Sequence, residues 1–151
     1  GKTEEDYYRA VSGSFMVSAD NAHAVHPNHP QKTDAENCVY MNEGIVIKSH
    51  AGQKYTSDAV SIAIFKAICE KAGVPVQFFA NRSDAAGGST LGNIAMAQVS
   101  MNTVDIGLPQ LAMHSAYETS GVKDTGYLIE ASKEFYSCHI KAAGDGLFEI
   151  A

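Results

Sequence analysis

The sequence predicts an α/β fold: a three-layer α/β/α sandwich around a mainly parallel sheet. Two observations carry this prediction. Short runs of β-branched and aromatic residues alternate with longer stretches of helical periodicity, and Gly or Pro residues separate them. Strands that alternate with helices of this length are typical of βαβ units, whose sheet is covered on both faces. The 151 residues suit one domain or a large piece of one.

The first half of the chain predicts two strands separated by a long loop. A short helix over Thr3–Val11 leads into the strand Phe15–Asp20, which ends at an acid. Residues 21–43 are rich in His, Pro and Asn, and a loop of this length usually serves a function. The strand Gly44–Lys48 follows and ends at a lysine.

The clearest element of the second half is a helix over Ser57–Ala72. Its apolar residues recur at helical spacing, Thr56 or Ser57 can cap its start, and Gly73 stops it. The breadth of its apolar face predicts packing against a sheet. Four further elements follow: the strand Val74–Ala80, a helix opened by the turn Gly87–Gly92 and continuing through Val99, the strand Thr103–Gly107, and the helix Val122–Tyr136.

Composition excludes several classes of partner. The formal net charge is −6 and Lys and Arg form no patch, so nucleic acid is not an expected partner. No apolar run reaches the roughly 18–20 residues that a membrane span needs. The cysteines Cys38, Cys69 and Cys138 show no CxxC spacing, which fits a reducing compartment and predicts a cytoplasmic protein. Cys69 lies within an apolar helical pattern and is expected in the core.

Polar residues follow several of the predicted strands. Asp20, Lys48, the turn at Gly88 and the loop that carries His114 each come after a strand. Ligand sites of parallel α/β sheets gather beyond the carboxyl ends of the strands. These polar residues and segments are therefore expected to lie together at one rim of the sheet.

The segment after the first strand holds an acid and three of the six histidines: Asp20, His23, His26 and His29. Carboxylate and imidazole groups are ligands that Zn²⁺ or Mn²⁺ takes where thiolates are absent. Taken alone, a loop histidine is more often solvated, and a histidine such as His114 is more often structural. Asp20 differs, because an unpaired carboxylate leaving an apolar strand is costly. Asp20, His23 and His26 also allow a self-contained site for one metal ion.

Four motifs stand in order along the chain: S-A-D-N-A-H-A-V-H-P-N, then V-I-K, then N-R-S-D with G-G-S-T-L-G, then D-I-G-L-P-Q-L-A-M-H-S. Together they resemble the aspartyl aminopeptidases, members of the aminopeptidase I family of dinuclear zinc metallopeptidases. Their spacing also matches, from about Tyr7 to Tyr136. The resemblance implies a metalloaminopeptidase that removes Asp or Glu from peptide N-termini by a metal-activated water. It also implies a homo-oligomer in the complete enzyme.

The resemblance implies a metal site and a substrate site. Two Zn²⁺ ions are expected per complete site, with Mn²⁺ or Co²⁺ as alternatives, and Asp20 matches a carboxylate ligand of one metal and His114 the histidine ligand of the other. Lys48 matches the cation that pairs with the acidic side chain of the substrate. The implied substrate-binding residues are His23, Lys48, Gly88, Ser89 and Thr90, the last three through N–H groups at a helix start.

The resemblance also implies residues that this chain does not supply. A further histidine, an aspartate bridging the metals, and a glutamate pair holding the general base are expected upstream. Glu4–Glu5 is not that pair, because it lies too close to the strand of Asp20 and forms an acidic first helical turn. We therefore interpret residues 1–151 as the C-terminal portion of a metalloaminopeptidase catalytic domain, incomplete and inactive alone. The alternative is a non-catalytic scaffold or interaction fragment with a vestigial metal site.

Overall fold

The structure is a computed structural model that describes residues 1–144 and 146–151. Within these residues the strands are β1 (Phe15–Ala19), β2 (Ala22–His23), β3 (Ile45–Ser49), β4 (Val76–Ala80), β5 (Asn102–Gly107), β6 (Pro109–Leu111), β7 (Thr119–Ser120), β8 (Ile140–Gly144) and β9 (Leu147–Ile150). The helices are α1 (Glu4–Ser12), α2 (Ala59–Lys71), α3 (Leu91–Met96) and α4 (Val122–Ser137), with a 3₁₀ turn at Pro30–Lys32.

The main sheet has four strands in the order β1-β5-β3-β4. β1 pairs in parallel with β5, and β3 pairs in parallel with β4. The two pairs join through an antiparallel contact between β3 and β5, where Val46 lies opposite Gly107 and Ile47 opposite Ile106. The sheet is mixed but mainly parallel, and the predicted α/β fold is confirmed.

The antiparallel contact corrects the expected route by which Lys48 reaches the other polar residues. Because β3 runs against β1 and β5, its carboxyl end lies at the opposite end of the sheet from Asp20. Lys48 lies inside β3, one residue before its end, and is buried. Its side chain therefore meets Asp20 across the face of the sheet and not at a shared carboxyl edge.

One face of the main sheet carries the apolar core under α2 and α4. Its buried members are Ile45, Ile47, Phe65, Cys69, Val74, Val104, Ile106 and Ala131. Cys69 is the core residue that the helical pattern predicts, and burial raises the pKa of its thiol to about 12. Fully burying an aliphatic or aromatic side chain of this kind contributes about 1.5–3 kcal/mol to folding.

The opposite face of the main sheet, the polar face, carries buried polar side chains beside a second apolar cluster around Val46, and α3 packs against β1 and β5 there. Successive residues of a strand point to opposite faces, so Ser18, Lys48 and Asp105 point away from the apolar core. The Gly92 N–H of α3 donates to Ser18 Oγ at 3.0 Å. A Cβ on Gly92 would lie 2.9 Å from Asp105 Oδ2, so this close approach of α3 requires glycine. Helices on both faces complete the three layers.

The start of α2 differs slightly from its prediction. Asp58, and not Thr56 or Ser57, is the N-cap: Asp58 Oδ1 accepts from Ser61 N at 2.7 Å, and Asp58 N donates to Ser61 Oγ at 2.9 Å. This reciprocal capping box satisfies two main-chain donors at once. Thr56 and Ser57 are thereby left to bind Asp105.

The buried Asp124, in the first turn of α4, anchors the end of the long loop. Its carboxylate accepts from Asn42 N at 2.7 Å and from Gly44 N at 3.3 Å. Both loop residues have positive φ, 68° for Asn42 and 117° for Gly44. The carboxylate stabilises this unusual backbone and fixes where β3 begins.

Smaller sheets were not predicted from the sequence. β2, β6 and β7 form one of them, with β2 parallel to β6, and β8 and β9 form a hairpin. The first of these sheets links the segments that follow β1 and β5, and so links Asp20 to the loop of His114. In the described part of the chain, no helix has the length and apolarity to cross a membrane.

Candidate active site

A cavity of about 470 Å³ opens on the polar side of the domain. The site residues predicted from the sequence all line it: Asp20, His23, Lys48, Gly88, Ser89, Thr90 and His114. They come from four separate segments, so the fold gathers residues that are far apart in sequence. Glu4 and Glu5 lie in α1 and do not line the cavity.

Asp20 and His114 are held by their main chains and expose their side chains. Asp20 N donates to Ile106 O at 2.9 Å, and His114 N donates to the Glu118 carboxylate at 2.6 Å. His114 and Ala112 have positive φ values of 66° and 53°, a conformation that costs a non-glycine residue about 1 kcal/mol or more. The loop of His114 is therefore strained, as segments at functional sites often are.

Lys48 is a buried cation at the floor of the cavity, with 1% of its surface exposed. Its Nζ donates to Asp20 O at 3.2 Å and lies 5.0 Å from the centre of the Tyr55 ring. Burial lowers the pKa of Lys48, and the charges of Asp20 and Asp105 oppose that shift. An ammonium has three donors, and the bond to Asp20 uses one. Lys48 can therefore receive an anion from the cavity.

Asp105 is a fully buried carboxylate next to Lys48 on the polar face. Thr56 donates to Asp105 Oδ2 twice, from N at 2.6 Å and from Oγ1 at 2.9 Å, and Ser57 Oγ accepts from Asp105 N at 2.9 Å. These bonds fix the segment that carries Tyr55. Asp105 Oδ1 and Thr90 Oγ1 have no hydrogen-bond partner among the residues described. Buried polar atoms without partners are costly, and this face contains several.

His23 lies in β2, opposite Gln110 of β6. Partial burial, and then the nearby charges of His114 and Lys48, lower the pKa of His23. The imidazole is therefore neutral at pH 7, with one nitrogen to donate and one to accept a hydrogen bond. His23 and His114 line the same cavity.

The turn before α3 forms one wall of the cavity. α3 begins at Leu91 and has six residues, so it is shorter than the predicted helix through Val99. Thr90 is its N-cap and is buried, while Ser89 Oγ donates to Asn93 Oδ1 at 2.8 Å. The N–H groups of Gly88 and Ser89 precede the helix. An anion at this wall would therefore be bound by the N–H groups of the turn and not by the helix α3.

The donors at the cavity fit part of a zinc site. Asp20 offers a carboxylate and His114 an imidazole, the oxygen and nitrogen ligands that zinc takes in catalytic sites. Among residues 1–144 and 146–151, no group of three or more His, Cys, Asp or Glu side chains could hold a metal ion. A catalytic zinc usually has three protein ligands. The chain thus supplies zinc-compatible donors, but fewer than the three protein ligands that a catalytic zinc usually has.

The small number of donors also bears on the alternative hypothesis, in which residues after β1 hold one metal ion by themselves. His26 and His29 line the cavity, with ring centres 5.2 Å apart. Asp20, His23 and His26 do not form a metal-holding group within the described residues. The structure therefore gives no support to a self-contained site in this segment.

Sequence reasoning missed several residues that shape the cavity. Tyr55 supplies an aromatic surface beside Lys48, and Asp105 supplies a negative charge below it. Arg82 donates to Gln31 O and pairs with Asp84, which ties the long loop to the segment after β4. Asp105 left a usable signal, because a carboxylate inside the apolar strand T-V-D-I-G is costly to bury. Arg82 lies in the motif N-R-S-D but was given no role, and Tyr55 lies in a segment without a pattern.

Comparison with known proteins gives consistent matches. The model of the family "Aminopeptidase I zinc metalloprotease (M18)" matches residues 1–136. A probable M18 family aminopeptidase 2 of Clostridium novyi is 53% identical over 133 residues, which are 88% of this chain and 31% of that protein. Its counterpart in Clostridium acetobutylicum is 50% identical over 91% of this chain and 32% of that protein. The chain thus spans about a third of the length of these relatives.

Solved structures agree with these matches. Ape4, in a cryo-EM structure of its complex with Nbr1, superposes with a TM-score of 0.88 at 39% identity, over 90% of this chain and 26% of that one. The crystal structure of prApe1 gives a TM-score of 0.84 at 27% identity, over 87% and 28%. The S. cerevisiae mApe1 dodecamer gives 0.79 at 26% identity, over 91% and 30%.

The family model covers most of the chain, two relatives share half or more of its aligned residues, and the cavity gathers the motif residues. The chain belongs to the aminopeptidase I zinc metalloprotease (M18) family.

Proposed function

We propose that the longer protein of which this chain is part is a metalloaminopeptidase that removes N-terminal Asp or Glu from peptides. One observation carries the proposal: Asp20, His114 and Lys48 converge on a single cavity although β3 runs against β1 and β5. Two of these residues are zinc-compatible donors, and the third is a buried cation. An anionic side chain bound in this cavity would meet a charge that water screens poorly.

Lys48 is the source of the acidic preference in this proposal. Its burial makes an unpaired ammonium unfavourable, and a substrate carboxylate supplies the missing partner. The Tyr55 ring and Asp20 O hold the ammonium in place before substrate arrives. A neutral substrate side chain would leave the Lys48 ammonium unpaired. The preference for acidic substrates therefore arises from the unfavourable free energy of binding a neutral one.

Asp20 and His114 would hold zinc, which when bound supplies Lewis-acid activation of a water and of the scissile carbonyl. His23 lies near both, and its neutral imidazole is suited to hydrogen-bond the substrate main chain. The turn Gly88–Thr90 offers main-chain N–H groups on the same wall. The general base is not among these residues, and we place it in the part of the protein outside this chain.

The isolated chain is inactive in this proposal. Two features support this inference: within the described residues no group of three His, Cys, Asp or Glu could hold a metal ion, and general-base catalysis is typically worth about 10²–10⁴-fold. For the complete protein we infer a homo-oligomer of peptidase subunits in the cytoplasm. The similarity to the S. cerevisiae mApe1 dodecamer supports the oligomer.

Metal binding tests the proposal. In the longer protein, Asp20→Ala and His114→Ala should each weaken zinc binding by roughly 100-fold or more, measured by equilibrium dialysis against a zinc-buffering chelator, because each removes a ligand. His29→Ala is the matched control, since His29 lines the same cavity without a proposed ligand role. Unchanged zinc affinity in both variants contradicts the metal assignment. Chelator-sensitive release of Asp by the 151-residue chain alone contradicts the inference that the isolated chain is inactive.

A further inference from the structure

The turn that precedes α3 is bonded to a lysine outside the cavity. Lys54 Nζ donates to Gly87 O at 2.6 Å, in a partly buried contact between residues 33 positions apart in the sequence. A hydrogen bond from a charged donor is shorter and roughly twice as strong as one between neutral groups. Among the residues described, Gly87 and Gly88 line the cavity and Lys54 does not. The lysine therefore acts on the turn and not on a ligand inside the cavity.

This bond fixes the direction of one main-chain N–H group. No cis peptide bond occurs within the described residues, so the Gly87–Gly88 peptide is trans and its N–H points opposite to its C=O. Because Gly87 O is directed at Lys54, the Gly88 N–H is directed away from Lys54. Gly88 is exposed, and within the described part of the chain its N–H donates to no main-chain acceptor. This N–H is the group of the turn that Lys54 orients.

A peptide between two glycines requires such a restraint. Neither residue has a Cβ, so more main-chain orientations are open to this peptide than to others. A Cβ on Gly87 would lie 2.1 Å from Asn81 Nδ2 and 3.0 Å from His50 Nε2, so a larger residue would displace both side chains. A Cβ on Gly88 would meet nothing within 4 Å. Packing therefore requires glycine at the first position and leaves the second unrestrained, and Lys54 supplies the missing restraint.

The segment that carries Lys54 is itself firmly held. The next residue, Tyr55, is buried, and its ring centre lies 5.0 Å from Lys48 Nζ. Thr56 then donates to Asp105 Oδ2 from N at 2.6 Å and from Oγ1 at 2.9 Å. Three consecutive side chains thus contact the turn, the buried ammonium and the buried carboxylate. The main chain at Lys54 is a fixed point from which Nζ reaches the turn.

We propose that Lys54 is a positioning residue for substrate binding: it holds the Gly87–Gly88 peptide so that the Gly88 N–H donates to the main chain of the substrate. This inference rests on the proposed function, because it takes the cavity as the place where the peptide binds. Lys48 meets the acidic side chain of the substrate, whereas Lys54 acts on a contact to the substrate main chain. The two lysines therefore differ in the substrates that their loss affects.

Kinetics of the longer protein separate the two lysines. Lys54→Met should raise KM about 3- to 10-fold with little change in kcat, as expected for the loss of one hydrogen bond to the substrate, and by the same factor for aspartyl and leucyl peptides. Lys54→Arg keeps a charged donor and should restore most of the affinity. Lys66→Met, at an exposed lysine of α2, is the matched control. An unchanged KM in Lys54→Met, a loss confined to acidic peptides, or a fall in kcat alone overturns the positioning role.

A crystal structure of the Lys54→Met variant of the longer protein tests the inference without an activity assay. Gly87 O should turn away from position 54, or the Gly87–Gly88 peptide should occupy two orientations, while Lys54→Arg keeps the parent orientation. An unchanged peptide in Lys54→Met overturns the inference and leaves the proposed function standing. A reoriented peptide in a protein without peptidase activity contradicts the proposed function but supports the hold of Lys54 on the turn. Failure of Lys54→Met to fold would make Lys54 a structural residue and would also overturn the inference.

Discussion

The two faces of the main sheet differ in the chemistry of the side chains that they bury. Ile47 and Lys48 are neighbours in β3, both almost completely buried, yet one packs in the apolar core and the other carries a charge into the polar face. The apolar face stabilises the fold through packing. The polar face holds a buried ammonium, a buried carboxylate and polar atoms without partners. A fold keeps such costly groups where function requires them.

The largest effect is expected on the apolar face. Ile47→Ala should reduce the free energy of unfolding by roughly 2–5 kcal/mol, because it removes buried methyl groups and leaves a cavity under α2. Urea denaturation of the 151-residue chain measures this change. A loss below about 1 kcal/mol would mean that this face is loosely packed, and the contrast between the faces would disappear.

A smaller loss is expected where Asp105 is anchored. Thr56→Val keeps the shape of the side chain but removes the Oγ1 donor to Asp105 Oδ2, and should cost about 1.5–3 kcal/mol, typical of a hydrogen bond to a charged group. The same denaturation experiment applies. Thr33→Val is the matched control, a half-buried threonine of the long loop. A Thr56→Val effect no larger than the control would mean that the bond from Thr56 Oγ1 to Asp105 contributes little to stability.

The smallest effect has the opposite sign. Lys48→Met should leave the isolated chain unchanged or stabilise it by about 1 kcal/mol, because it replaces a buried ammonium by an apolar side chain of similar length. The lowered pKa of Lys48 has the same origin. Since the unfolded chain then binds the proton more tightly than the folded chain, the stability of the parent should rise as pH approaches 10.5, and that rise should vanish in Lys48→Met. A clear destabilisation at pH 7 would mark Lys48 as structural.

Much of this fold was predictable because its elements carry local signals. The apolar period and stop of α2 and the run of β-branched residues in β3 specify those elements within a few residues. Strand direction was not predictable, because β3 and β5 are set antiparallel by contacts distant in sequence. The two-residue strand β2 is too short for a periodic signal.

The candidate site likewise contains residues that were predictable from the sequence and residues that were not. Asp20, Lys48 and His114 were predicted from motifs, and the structure brings them to one cavity. Tyr55 was not found, because an aromatic residue in a short loop is compatible with many environments. The way Lys48 reaches the cavity was also misjudged, because β3 was expected to run parallel to β1 and to end at the same rim of the sheet.

The specificity of the longer protein tests the central claim, that the polar face is kept for binding an acidic substrate. Lys48→Ala should lower kcat/KM for an N-terminal aspartyl or glutamyl peptide about 30- to 800-fold, which corresponds to a loss of roughly 2–4 kcal/mol of transition-state stabilisation. Hydrolysis of a leucyl or alanyl peptide should change much less. Lys32→Ala is the matched control, an exposed lysine lining the same cavity, and should leave the ratio of the two rates unchanged. Equal losses on acidic and neutral substrates in Lys48→Ala would contradict the account.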